Sequence, residues 1–264
     1  MQGSNLDRLL QIMAKLRDPQ DGCPWDLAQD FKSIVPFTLE EAYEVADTIE
    51  RMAWDELPDE LGDLLFQVVF YCQLGKEQGR FDFEQVAGRI CDKLTHRHPH
   101  VFGELKDLSS EEIKSNWEQL KAEERAEKDM HSVLDNIPKS LPALSRAAKI
   151  QKRVARVGFD WDNTADVVAK IHEEVDEVLA EVNVPQPDKA RVQDEMGDLL
   201  FAVVNLARHL GIEPEQALRQ GNDKFERRFR QVEQLASQSG REMTEHTLDQ
   251  LEAYWQQAKA KEAK

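Results

Sequence analysis

The 264-residue sequence predicts an all-α protein made of two tandem copies of one helical-bundle domain. Three observations carry that prediction. Strand signals are nearly absent, and long stretches rich in Ala, Leu, Glu, Gln, Lys and Arg keep a helical period. Gly and Pro fall mainly between those stretches. The third observation is a repeat: Trp25-Asp26 corresponds to Trp161-Asp162, Glu40 to Glu173, Gly62-Asp63 to Gly197-Asp198, Asp92-Lys93 to Asp223-Lys224, and Trp117 to Trp255. A spacing above about one hundred residues is too long for a solenoid unit of roughly 20–50, so a whole domain is duplicated.

An amphipathic run of Leu6, Leu9, Leu10, Met13 and Leu16 predicts the first helix over 5–17. Helices follow over 38–53, 58–79, 83–97 and 110–128, then over 141–156, 164–183, 188–210, 214–238 and 245–262. Thr38 with Glu41 is a capping-box pattern, and Pro58, Asn163 and Asp188 mark further helix starts. Pro58 in one copy, and Pro185 and Pro187 in the other, break the chain between paired helices, so each pair forms an antiparallel hairpin. Periodicity lapses around Pro138, which places a linker at 129–140 between a domain at 1–128 and one at 141–264.

The hairpins carry the candidate chemistry. Each copy reads E-E-x-x-E, a gap, then E-x-G-D-L-L-F: Glu40, Glu41 and Glu44 with Glu60 and Asp63, then Glu173, Glu174 and Glu177 with Glu195 and Asp198. Residues three or four apart share a helix face, so two facing helices aim four carboxylates at one point. Like charges there repel, and such a site is stable mainly when a cation from outside the chain fills it. Oxygen ligands without matching His or Cys suit a hard ion, and Mg²⁺ in particular is held by a few carboxylates together with substrate phosphates.

Local helix chemistry is a competing account of Glu41, as a capping residue, and of Glu60, as a first-turn acid favoured by the dipole. It does not reach Glu174 and Glu195, which lie well inside their predicted helices. Gly62 and Gly197, each costing about 1 kcal/mol in a helix, imply a close backbone approach. The residues after them, Leu64, Leu65, Phe66, Val68 and Val69 against Leu199, Leu200, Phe201, Val203 and Val204, read as core. Core packing is also the expected use of most of the paired tryptophans.

Lys224, Arg227 and Arg228 share one helical face, with Lys93 and Arg97 at the equivalent places of the first copy, and both residue types bind phosphate. His96, His98 and His100 have no counterpart in the second copy and read as loop histidines. His98-Pro99 is expected to end the first copy's basic helix early.

A formal charge of -17 and a pI near 4.9 argue against a nucleic-acid polymer as partner. Three cysteines without C-x-x-C spacing give neither a disulfide framework nor a zinc site, and no apolar run reaches membrane-spanning length. A cytoplasmic protein without membrane contact is the expectation.

The doubled acidic pattern, with G-D-L-L-F after it, K-x-x-R-R in the second copy, C-P-W-D at 23–26, R-H-P-H-V-F at 97–102 and G-F-D-W at 158–161, resembles the two-domain MazG family of nucleoside triphosphate pyrophosphohydrolases. The resemblance covers nearly the whole chain. It implies a homodimeric, Mg²⁺-dependent enzyme, with Mn²⁺ as the alternative ion, that converts standard or aberrant nucleoside triphosphates to monophosphate and pyrophosphate in nucleotide-pool housekeeping or stress. By that likeness Glu174, Glu177, Glu195 and Asp198 bind metal, as do Glu41, Glu44, Glu60 and Asp63 in the first copy. Lys224 and Arg228 match basic residues near the phosphates, Trp255 matches an aromatic near the nucleotide, and Arg227 and Trp161 are grouped with them. Glu173 or Glu174 is the candidate base toward a metal-bound water. The likeness favours the second copy as the main catalytic site, while the first keeps its acids with Lys93 and Arg97.

Two rival classes share parts of the pattern. A di-iron carboxylate bundle would carry Glu-x-x-His pairs, whereas the third residue after Glu41, Glu60, Glu174 and Glu195 is always an acid. A non-catalytic acidic scaffold would tolerate acid-to-amide changes without loss of function.

Overall fold

The computed structural model describes residues 4–103, 108–126 and 132–262, and no strand occurs among them. The chain folds as two compact units, Met1–Glu123 and Glu124–Lys264. In chain order the helices are α1 (Asn5–Leu16), α2 (Pro24–Leu27), α3 (Val35–Glu50), α4 (Leu57–Glu77), α5 (Phe83–Arg97), α6 (Pro99–Phe102) and α7 (Ser110–Ala126). After them come α8 (Ala143–Ala155), α9 (Thr164–Val182), α10 (Lys189–His209), α11 (Pro214–Gln238) and α12 (Leu248–Glu262), the last preceded by a 3₁₀ turn at Met243–Glu245. The two short helices α2 and α6 are below the length at which periodicity shows in a sequence.

Local chemistry explains most of the ends. Ser4 with Asp7 and Asp82 with Gln85 form capping boxes on α1 and α5. Asn163 accepts from the Asp166 amide at 3.0 Å and Asp188 from the Ala190 amide at 2.9 Å, which starts α9 and α10 where the sequence suggests. Thr38 differs from its expected role. Pro36 lies in the first turn of α3, which begins at Val35, so Thr38 is inside the helix. Its hydroxyl bonds the Ile34 carbonyl at 3.1 Å and the Tyr71 hydroxyl at 2.9 Å. Glu41 is therefore not a capping residue.

The packing plan repeats between units. α3 packs on α4 and α9 on α10, while α1 lies on α4 and α8 on α10. Cores differ in bulk. Met13, Ile34, Val69, Phe70 and Leu74 form a buried cluster in the first unit, whereas the hydrophobic residues buried in the second are Ile137, Val167, Ala202, Val204, Val232, Ala236 and Ala258. Part of the expected linker is folded: residues 132–140 make turns, Ile137 is buried, and Arg153 donates to the Val133 carbonyl at 3.0 Å. Residues 129–131 lie outside the described residues.

Two expectations about the hairpin helices are overturned. Val69 and Val204 are buried, but Leu65, Val68, Leu200, Phe201 and Val203 are exposed within their units. A 21-residue helix with apolar residues around most of its circumference can bury only the side that meets neighbours in its own bundle. A Cβ added at Gly62 or Gly197 would meet nothing within 4 Å, so neither glycine answers to a close approach inside the chain. Trp25 and Trp161 are likewise exposed, 51% and 42%, rather than core. Among the described residues no helix is long and apolar enough to cross a membrane.

Arg17 ties the first unit together. Its guanidinium donates to both Glu77 oxygens at 2.8 and 2.7 Å, to the Asp26 carbonyl, and to the Gln29 carbonyl at 3.3 Å. That pairing holds the Glu77 carboxyl below the usual range. Removing the buried cation strands partners on two segments, so Arg17→Ala should cost roughly 3 kcal/mol in urea unfolding, against less than about 1 kcal/mol for the exposed pair broken by Arg230→Ala.

Candidate active site

The second hairpin brings its acids together. Glu174 on α9 with Glu195 and Asp198 on α10 offer carboxylate oxygens within 4.8 Å of one another, and Glu41, Glu60 and Asp63 do the same on α3 and α4. No His or Cys enters either group. Glu44 and Glu177 lie outside these triads but act on them electrically. Burial, then Glu174 and Glu195, push the Glu177 carboxyl above its usual value. Burial with Asp63 and Glu44 raises Glu41, and burial with Glu44 and Asp63 raises Glu60. Each cluster holds more negative charge than its surroundings offset.

Glu174 is the most committed of these acids. It is 4% exposed, one oxygen meets Lys170 Nζ at 2.6 Å, and the other, Oε2, is buried without a hydrogen-bond partner. A buried carboxylate oxygen left without a donor beside two further carboxylates is the donor set a hard divalent cation fits. Lys170 also meets Glu173 Oε1 at 2.9 Å, so two adjacent carboxylates converge on one ammonium. This lysine was not singled out from the sequence, although its i, i+3 and i, i+4 spacing to Glu173 and Glu174 is a readable signal. In the first copy Phe37 stands at the equivalent position, and the support for Glu41 is the buried Gln67, whose amide lies 3.4 Å from Glu41 Oε1.

The basic residues sit apart from the acids in their interactions. Arg227 and Arg228 bond the two oxygens of Glu262 at 2.7 and 2.6 Å, which lowers the Glu262 carboxyl through Arg228 and then Arg227. Lys224 is exposed. Arg228 lies over the Trp255 ring at 5.9 Å, and Arg97 lies over Trp117 at the same distance in the first copy. The repeat thus extends from acids to a cation–π pair. As expected, α5 stops at Arg97, with His98 capping its end and Pro99 opening α6, whereas α11 runs unbroken through Arg228 to Gln238. Lys93 is exposed on α5.

A cavity of about 220 Å³ adjoins the second cluster, lined by Glu174, Asp198 and Lys170 together with Trp161, Phe159 and a set of polar residues from α8 and α10. Of the aromatic residues picked out from the sequence, Trp161 and Phe201 reach it, and Trp255 does not. The polar lining comes from segments distant in sequence, and of Gln151, Asp160, Asn205 and Arg208 only Asp160 falls in a motif read from the sequence, G-F-D-W at 158–161.

Comparison with known proteins agrees with this geometry. The model of the MazG nucleotide pyrophosphohydrolase domain matches twice, at residues 29–102 and 163–233, each match spanning one acidic hairpin. The chain is 56% identical over 259 residues to the nucleoside triphosphate pyrophosphohydrolase of Escherichia coli K12, covering 98% of both chains. It is 40% identical over 257 residues to the nucleoside triphosphate pyrophosphohydrolase/pyrophosphatase MazG of Thermotoga maritima, covering 97% of this chain and 96% of that one. It is also 41% identical over 251 residues, 95% of this chain, to the uncharacterized protein YabN of Bacillus subtilis, of which it spans 51%. With two acidic hairpins of one design and both family matches falling on them, the chain belongs to the MazG nucleotide pyrophosphohydrolase family.

Proposed function

We propose that the second acid cluster is the main turnover site of a Mg²⁺-dependent enzyme that acts as a homodimer. The protein is a nucleoside triphosphate pyrophosphohydrolase, a hydrolase of phosphoanhydride bonds that yields monophosphate and pyrophosphate. What supports placing the chemistry in the second copy is the buried, unpartnered Glu174 Oε2 within the Glu174, Glu195 and Asp198 group. Glu177 adds a fourth carboxylate at its edge. A bound Mg²⁺ supplies charge neutralisation for the triphosphate and acidifies a water.

The chain's own residues do the rest. Glu174 has one oxygen held by Lys170 and the other in the cluster, and Glu173, held by Lys170 through Oε1 alone, is the carboxylate that takes a proton from the attacking water through its other oxygen. Lys170 fixes both side chains. Lys224, Arg227 and Arg228 receive the phosphates, exchanging the Glu262 carboxylate for phosphate oxygens, and Trp255 backs Arg228. In the first copy Glu41, Glu44, Glu60 and Asp63 hold metal, with Lys93 and Arg97 as the corresponding cations. Phe37 in place of Lys170 and the helix break after Arg97 leave that copy slower.

Homodimerisation is supported by two matching exposed rows, Leu61, Leu65 and Val68 on α4 and Met196, Leu200 and Val203 on α10, each at i, i+4 and i+7. The open space beside Gly62 and Gly197 on the same helices would admit a partner backbone. Three free thiols fit a reducing cytoplasm.

Three outcomes test this reading. With Mg²⁺, wild type should release pyrophosphate and monophosphate from nucleoside triphosphates. Glu174→Gln should lose roughly 100-fold or more in kcat, since even supports of metal ligands cost about 10–100-fold, and Glu41→Gln should keep most of it. The reverse order would move the main site to the first copy, and no pyrophosphate from any nucleotide would end the hydrolase reading.

The raised carboxyls predict how the metal stabilises the fold. Glu41, Glu60 and Glu177 bind protons more tightly folded than unfolded, so without metal their contribution falls as pH rises from the ordinary 4.5 through the raised values. Above that window their repulsion persists until a cation offsets it. Mg²⁺ should therefore raise Tm more at about pH 8 than at about pH 5, and equal shifts would contradict the assignment. In sedimentation velocity wild type should run as a dimer and Leu200→Glu with Val203→Glu as a monomer, while a monomeric wild type would refute the dimer.

A further inference from the structure

We infer that Glu262 is an internal stand-in for phosphate, which competes with the substrate for Arg227 and Arg228 and clears pyrophosphate from them after cleavage. The inference rests on the hydrolase reading above, in which these two arginines receive the phosphates. The Glu262 carboxylate accepts from Arg227 Nε at 2.7 Å and from Arg228 Nε at 2.6 Å, one arginine on each oxygen. Two guanidinium groups on two anionic oxygens is also the contact a phosphate group makes with such a pair.

Helix chemistry does not account for an acid at this place. Glu262 lies in the last turn of α12, where the dipole favours cations and Lys259 and Lys261 answer to it. The carboxylate is held there by its partners on α11. Packing fixes both helices around the clamp: Ala258, one turn before Glu262, is buried, and so is Val232, one turn after Arg228. Phe225 lies 5.1 Å from Trp255, and Arg228 stands over that tryptophan. Arg228 therefore keeps a second support when Glu262 lets go, and the clamp opens by side-chain rotation with α11 and α12 still packed.

The same geometry supplies a route for exchange. Each arginine spends its Nε on Glu262, so the Nη edges are left out of this pairing and can take an arriving phosphate before the carboxylate yields. The Arg227 side chain is 59% exposed and open to that approach. After cleavage pyrophosphate holds the arginines through the same donors, and Glu262, tethered on α12, competes for them at a high effective concentration. Retaking both Nε groups loosens the product. The first copy carries half of this device: Glu124 stands seven residues after Trp117 as Glu262 stands seven after Trp255, but His96 takes the place of Arg227.

The test compares full-length wild type with Glu262→Gln, which keeps the side chain's size and removes its charge, and with Glu226→Gln, which removes a neighbouring exposed acid that pairs with Arg230 instead. Steady-state kinetics with Mg²⁺ and a nucleoside triphosphate give KM, kcat and inhibition by added pyrophosphate, and calorimetry gives the pyrophosphate affinity directly. If Glu262 covers the arginines about nine-tenths of the time, its loss should lower KM and the pyrophosphate inhibition constant by roughly 10-fold each, with kcat no higher than in wild type. Glu226→Gln should stay within about twofold of wild type, since its exposed pair contributes little. A residue that merely pins α12 would shift Tm without tightening pyrophosphate. Pyrophosphate bound no more tightly by folded Glu262→Gln, or tightened equally by Glu226→Gln, would overturn the inference while wild-type turnover leaves the hydrolase reading standing. Wild type that releases no pyrophosphate from any nucleoside triphosphate would sink both.

Discussion

Repulsion among carboxylates is the constraint on which this structure turns. Each hairpin sets acids from two helices within 4.8 Å of one another, and burial adds to the cost by favouring their neutral forms. Among the described residues Lys170 is the cation that pairs with Glu174 of the second cluster. A fold that spends stability in this way makes its site strong for an external cation, and through the cation for a polyphosphate. The hairpin, with its short Pro-containing turn and two long helices, exists to hold that arrangement rigid.

The duplication shows how the same backbone takes two fates. Helix order, cation–π pair and acids all persist between copies, while the side chains behind the acids diverge. In the first copy Phe37, Phe66 and Phe70 pack together with Met13 and Ile34 into a dense core. At the places that match Phe37 and Phe70 the second copy carries the polar Lys170 and Asn205, which line a cavity instead, while Phe66 is matched by Phe201. Close packing admits either a filled core or a lined pocket at one place, so bulk at these positions fills the core of the first copy and its absence leaves a cavity in the second.

The apolar excess of α4 and α10 belongs to the same logic. Helices that are apolar on several sides are buried on several sides, and each unit by itself covers only one. The matching exposed rows on the two helices leave apolar surface that neither bundle covers by itself.

The sequence by itself determined the helices, the repeat, the caps at Asn163 and Asp188, and the acids of both clusters, because all of these are set by spacings within one or two helical turns or by motif order. Lys170 lay within the same reach, three and four residues from its partners. Only the tertiary structure decided the rest. It turned Leu200 and Val203 outward, gave Arg227 and Arg228 to Glu262 more than thirty residues away, and left Thr38 inside a helix bonded to Tyr71. It also gathered Gln151, Asp160, Asn205 and Arg208 around one cavity from three separate segments. Periodicity records which face of a helix is apolar, but which neighbour covers that face, and which distant side chains meet behind it, is fixed by how the helices pack.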